Sequence, residues 1–243
     1  KLAFASMIEI DNSSIENNSK DGINIDYNST ASIKNSSIKS NDDGIEVHRG
    51  SSISLKDSEI IQNQDDAITV YENSNMKIAN SSVLNNGDDG IVASNNSNVE
   101  IYRSTISNNG GNGLKARHFS KIVIEDEDVE IIGTTIENND ESIYLYGYAS
   151  IQFSESNPKI NDDISLQNST YIEFSESNSS NIISSFNCYT KFENDLRNDN
   201  SLNYEQNTST AQQLENKPYI SYNSHVGSRI VTNNDNCGEI YNE

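Results

Sequence analysis

The feature that most limits what this chain can fold into is that it repeats itself every 22 or 23 residues. An aliphatic residue follows a pair of acids in SNDDGIEV (Ser40 to Val47), and its counterparts fall at Ile23, Ile45, Ile68, Ile91, Leu114, Ile143 and Ile164. The steps are of 22 or 23 residues, apart from one of 29 before Ile143 and one of 21 after it. A second column keeps nearly the same period through IDNSSI at Ile10, IKNSSI at Ile33, LKDSEI at Leu55, IANSSV at Ile78, IYRSTI at Ile101 and IIGTTI at Ile131. Self-similarity at a fixed period of this size marks a stack of like structural units.

Within each unit, apolar and polar residues alternate over short runs such as SISL, NVEIY and GIEVH. That is the period of a strand, not of a helix. Asn, Asp, Ser and Gly separate the runs, so each unit is expected to hold two or three short strands joined by turns. A strand that bonds to its equivalent one unit later makes a parallel ladder, and the chain then closes one coil per step. The predicted fold is all-β, a parallel solenoid of about eight coils in which each coil buries only its inward aliphatics against its neighbours. Composition agrees: at 33% hydrophobic and without Trp the chain is too polar for a thick core, yet its aliphatics are too regularly placed for disorder.

With 16 basic against 37 acidic side chains the net charge is -21, so a nucleic-acid partner would be repelled. No run of about 18 apolar residues exists to insert in a membrane. The chain opens at Lys1 and enters its repeat at once, which reads as a processed piece of a longer product.

The coil motif N-x-D-D-G-I-x-V, present from Asn41 to Val47, resembles the generic repeat of right-handed parallel β-helix proteins of the pectate-lyase-like superfamily, and the likeness runs from residue 5 to about 185. The resemblance implies a right-handed β-helix. It implies no particular activity, because the Arg-x-Pro-x-x-Arg run of pectate lyases and the Gly-His-Gly and Arg-Ile-Lys pair of polygalacturonases are not evident. Pro occurs only at Pro158 and Pro218.

Two sets of residues are candidates for a site. Two before each anchor stand Asp21, Asp43, Asp66, Asp89, Asn112, Glu141 and Asp162, and one before it stand Gly22, Gly44, Ala67, Gly90, Gly113, Ser142 and Asp163. Asp beside Gly is first of all turn chemistry, with the carboxylate bonding its own turn and Gly taking positive φ. The functional alternative is metal: stacked coils would set Asp43, Asp66 and Asp89 about 4.8 Å apart, and Ca²⁺ would relieve their repulsion. The second set faces outward beyond the anchors, where +1 and +3 positions should be exposed. There Lys115, Arg117 and His118 lie beside Tyr144 and Tyr146, with Tyr71 and His48 earlier on the same face. Rings stack on pyranose faces and a cation pairs with a uronate. For lyase or epimerase chemistry the base would be Lys115, Tyr144 or His48, and Arg117 or Ca²⁺ the neutraliser of the uronate. The plain alternative is an ordinary solvated sheet face.

The Ser and Thr column (Ser13, Ser36, Ser58, Ser81, Ser104, Thr134) is expected to point inward, with hydroxyls bonded to one another up the stack. The acidic insertion EDEDVE (Glu125 to Glu130) is expected to be a solvated or cation-binding loop. From residue 187 to 243 the period is lost. That segment is expected to cap the solenoid end, tied by a Cys188–Cys237 disulfide of the kind an oxidising compartment allows. Residues 1–186 are then the β-helix. The leading expectation is a non-catalytic solenoid at a cell or virion surface, extracellular and binding polysaccharide or a surface glycan. A Ca²⁺-assisted uronate lyase or epimerase is the alternative, and end-to-end self-association a third.

Overall fold

The computed structural model describes residues 1, 4–126, 133–156, 158–167 and 170–175, with the strands Phe186–Tyr189, Tyr219–Tyr222 and Ile240–Asn242 described by their backbone alone. Three short strands make each coil, as the alternation predicts, and no helix occurs among the described residues.

Equivalent strands stack in parallel into three sheets. Sheet A holds the anchor strands Ile23–Ile25, Ile45–Val47, Ile68–Tyr71, Ile91–Ser94, Leu114–Arg117, Ile143–Tyr146 and Ile164–Gln167, then Phe186–Tyr189. Sheet B runs from Met7–Asp11 through Asn75–Ala79 and Lys121–Glu125 to Tyr171–Ser175, Tyr219–Tyr222 and Ile240–Asn242. Sheet C, the shortest, runs from Ser14–Glu16 to Lys159–Ile160. Register follows the repeat without slippage: Ile45 pairs with Ile68, Ile68 with Ile91, Ile91 with Leu114 and Leu114 with Ile143. Parallel strands therefore continue into residues beyond 186, while the proposed cap interior and the Cys188–Cys237 pairing lie outside the described side chains.

The core is a single thin column. Ile45 and Val47 from sheet A, Ile53 and Leu55 from sheet B and Ile60 from sheet C are buried in one coil, and this pattern of two, two and one repeats up the stack. Each such side chain contributes roughly 1.5–3 kcal/mol of transfer free energy.

Polar ladders close the corners. The Ser column is buried as expected from Ser36 to Thr134, with Ser13 in the first coil exposed, but the hydroxyls do not bond one another. Instead each backbone N–H donates to the hydroxyl one coil on: Ser36 N to Ser58 Oγ at 3.1 Å, Ser58 N to Ser81 Oγ and Ser81 N to Ser104 Oγ each at 3.2 Å. The hydroxyl proton goes back to a carbonyl of its own coil, as from Ser36 to Lys34 O at 2.6 Å. The hydroxyl thus satisfies a corner N–H that no strand can reach.

An asparagine ladder, which the repeat reading passed over, does more. Asn41, Asn63, Asn86, Asn109 and Asn139 are stacked so that backbone N and side-chain Nδ2 of one both donate to Oδ1 of the next, for example Asn63 to Asn86 at 3.0 and 2.9 Å. The column ends where Asn139 N donates to Asp162 Oδ2.

Left-handed backbone makes the coil turn. Between sheets B and C it falls on Asn12, Asn35, Asp57, Asn80 and Arg103; between C and A on Asn17, Ser40, Gln62, Asn85, Asn108 and Asn138. Between A and B two consecutive residues adopt it in every coil, from Phe4–Ala5 to Gly147–Tyr148. Asn tolerates this region better than other L-residues with a Cβ, which explains much of its abundance here.

Of the acidic insertion, Asp126 is buried, not solvated. Its carboxylate accepts from Arg103 N at 2.8 Å, Thr134 N at 3.1 Å and Thr134 Oγ1 at 2.9 Å. Gly133 is required beside it, since a Cβ there would sit 2.1 Å from the Asp126 carboxyl carbon.

Candidate functional site

The outward face of sheet A carries both sets of candidate residues. Its side chains are more sheltered than simple alternation suggests, because neighbours one coil away cover them. Asp26, Val92, Ser94 and Ser165, all expected to be exposed, are buried, and Glu46, His48, Tyr71, Lys115, Arg117, Tyr144 and Tyr146 are half-buried.

The acidic column is not a set of self-contained turns. Each carboxylate reaches the backbone one coil later: Asp66 N donates to Asp43 Oδ1 at 3.1 Å, Asp89 N to Asp66 Oδ1 at 3.0 Å and Asn112 N to Asp89 Oδ1 at 2.8 Å. Nor do the adjoining glycines need positive φ. At Gly44 an added Cβ would lie 2.4 Å from Ala67 O, so space, not torsion, selects Gly. Carboxylates so stacked repel. Burial, followed by the charges of Glu46 and Asp66, pushes Asp43 up to about 7. Burial and then Asp89 push Asp66 up to about 6, and Asp88 is raised for the same two reasons.

Two clusters of three carboxylates result. Asp21, Asp43 and Glu46 bring one oxygen each within 4.8 Å of the others, as do Asp65, Asp66 and Asp88. Glu46 organises the first. It receives Asn24 Nδ2 at 2.8 Å, pairs with His48 Nε2 at 3.0 Å and accepts from the Tyr71 hydroxyl at 3.4 Å. The His48 hydrogen bond holds the Glu46 carboxyl below its usual range, while burial and Glu46 itself push the Tyr71 hydroxyl up. His48 and Tyr71 meet edge to face, ring centres 3.9 Å apart, and Asn24 Oδ1 is buried without accepting a hydrogen bond. Glu46 and Asn24 were not singled out from the sequence, although GIEVH signals that Glu46 and His48 share a face.

The third candidate acid, Asp89, belongs to neither cluster and joins the column to the basic patch instead. Lys115 Nζ donates to Asp89 Oδ2 at 2.7 Å and lies 6.0 Å from the centre of the Tyr144 ring. Arg117 Nε donates to Ser94 Oγ at 3.2 Å, and His118 meets Tyr146 edge to face at 5.5 Å. Register sets Lys115 beside Tyr144 and Arg117 beside Tyr146. The structure thus separates the candidates into an acidic group with His48 and Tyr71 at one end of sheet A, and a cation and ring group at the other.

Residues 2–157, more than half of the chain, match the family described as right handed beta helix region. No curated protein and no solved structure matches.

Proposed function

Because the chain belongs to the right-handed β-helix family, whose stacked coils make long ordered faces, we propose that it is a non-catalytic recognition module that binds a glycan along sheet A. The observation that carries the reading is the register of Lys115 with Tyr144 and of Arg117 with Tyr146, two cations on one strand beside two rings on the next, on one outward face. Rings offer stacking surface and the cations offer donors to hydroxyl or carboxylate groups of a sugar chain. The reading assigns the protein to a cell or virion surface, where such partners are displayed. Ca²⁺ is the cation the acidic end would take, held by Asp21, Asp43 and Glu46; these hard oxygen donors and the unpartnered Asn24 Oδ1 suit it.

A uronate lyase or epimerase on the same face needs a base with a free lone pair toward substrate. Lys115, the base nominated within the patch, has its amine held by the Asp89 carboxylate, which favours recognition over turnover there. Incubation with uronate and neutral polysaccharides, with Ca²⁺ and with EDTA, tests both readings at once. Co-sedimentation without unsaturated product is expected; product that vanishes with EDTA overturns the proposal.

A further inference from the structure

The corner between sheets A and B holds the residues least suited to their backbone. Both corner positions are left-handed in each coil, and the second is filled by Asn28, Gly50, Asn73 and Asn96 before it becomes Phe119 and Tyr148, at φ 64° and 63°. A bulky residue there is strained, and such strain persists where something other than stability has selected the side chain. Burial does not explain these rings: Phe119 is 66% and Tyr148 58% exposed. They stack on each other with centres 5.1 Å apart and planes 2° from parallel.

At its other end the corner stacks two rings at its first position, Phe4 on Tyr27 at 4.9 Å. Of the exposed large hydrophobic side chains among the described residues, only Met7 and Ile8, on the first strand of sheet B, lie elsewhere. Between the two stacks the surface is polar, an open hollow lined by Asn28, Arg49, Gly50, Glu72 and Asn73, followed by Asn96, whose Nδ2 donates to Asn73 Oδ1 at 2.8 Å.

From this we infer a second glycan contact along the A/B corner, a groove that takes neutral pyranose units with Phe119 as its stacking platform, the Tyr27 ring being already covered by Phe4 and by the Arg49 guanidinium. The inference rests on the reading of the solenoid as a glycan-binding module and moves its specificity from charge to ring stacking. Rings separated by amides fit a ligand with apolar ring faces and hydroxyl edges; a protein or lipid partner would call for a continuous apolar patch. Neutrality follows from Arg49, the cation in the groove. Its guanidinium lies 4.6 Å from the Tyr27 ring centre, donates to Asp26 Oδ1 and Oδ2 at 3.0 and 2.8 Å, and pairs with Glu72 at 3.4 Å. Its charge is already matched within the protein. Tyr148 stacks on Phe119 from one coil beyond, and Asn96 holds the same corner position one coil before Phe119, on the side of the hollow.

The test is affinity electrophoresis of the whole chain in gels containing a neutral β-glucan, a galactomannan or polygalacturonate. Wild type is compared with Phe119→Asn, Tyr148→Asn, Tyr27→Asn and, on sheet A, Lys115→Met. Retardation by a neutral polymer is expected to weaken at least about tenfold in Phe119→Asn. Its melting temperature should rise, since Asn suits the left-handed corner, so a lost interaction could not be put down to misfolding. Unchanged retardation in Phe119→Asn with loss in Lys115→Met overturns the corner contact and leaves glycan binding on sheet A standing. Retardation by polygalacturonate alone does the same. No retardation in any gel overturns both.

Discussion

Lys115 Nζ sits 2.7 Å from Asp89 Oδ2, across one coil step, and the carboxylate it meets is only 3% exposed. A residue nominated as a metal ligand and a residue nominated as a base are partners in one ion pair. Removing the cation alone leaves Asp89 buried and unmatched. Lys115→Met should therefore destabilise by about 2 kcal/mol in chemical denaturation, and Asp89→Asn in the same chain should recover much of the loss. Equal destabilisation by single and double variants would show that the pair contributes nothing as a pair.

The acidic column predicts an inverted pH response. Asp43 titrates at about 7 in the folded chain against an ordinary 3.8, and Asp66 at about 6, so between those values the folded state holds protons that the unfolded chain releases. Their contribution to stability is complete below about pH 4 and is lost as pH rises through 6 and 7. Asp26 and Glu46 are shifted downward, and their opposing contribution is lost only in stronger acid. The melting temperature at pH 5.5 should exceed that at pH 8 by on the order of 2–4 °C, a modest figure because Asp43 is half-exposed to screening solvent. Asp43→Asn should flatten the profile; a steeper loss toward acid would contradict the assignment.

Breaking the asparagine ladder at its middle should cost more than any surface change. Asn86 accepts from Asn63 N and Nδ2 and donates to Ile60 O and Asn109 Oδ1. Asn86→Ala orphans buried groups in both neighbouring coils, for an expected loss of about 3 kcal/mol. Asn86→Asp keeps the acceptor, loses the donors and should fall between. Urea unfolding followed by circular dichroism ranks the three.

Asp126 makes a parallel case at the insertion. Its carboxylate holds Arg103 N, Thr134 N and Thr134 Oγ1. Asp126→Ala should cost about 3 kcal/mol, whereas Glu125→Ala, at the half-buried end of its strand, should change stability by less than about 0.5 kcal/mol. Similar effects from both would mean that Asp126 is no anchor.

The coil was legible because its two signals are local: alternation of period two, and aliphatic columns that return every 22 or 23 residues. The polar side of the coil was harder to read. Asn41, Asn63 and Asn86 stood in view beside each acidic pair, but their role depends on a partner one coil away that no window of sequence contains. Glu46 carries no signal of its own in sequence, since among 37 acidic side chains an acid at an outward strand position looks like any solvated charge. The strain at Phe119 and Tyr148 could not be read at all before the corner's torsions were known, since an aromatic at a turn looks the same in sequence whether its φ is negative or positive. Asp126 was misjudged for a related reason: five acids in six positions suggest solvent, yet one of them closes the turn from inside.

The serine and asparagine ladders run in one direction, each backbone N–H reaching forward to a side chain 22 or 23 residues later, and the acidic column runs in the other, Asp66 N and Asp89 N reaching back to Asp43 and Asp66. Excision of one whole period, such as residues 64–86, would bring Asn63 into the place of Asn86 and re-form every column, whereas loss of a single residue inside a strand would turn the side chains beyond it to the wrong face; the corners absorb such a change, as the 22-residue step to Ile45 among 23-residue ones shows. Length in this molecule is therefore counted in whole turns. Genetic change that shortens or extends it can do so by unit duplication and deletion, while the spacing inside each strand is held fixed by the neighbours on either side.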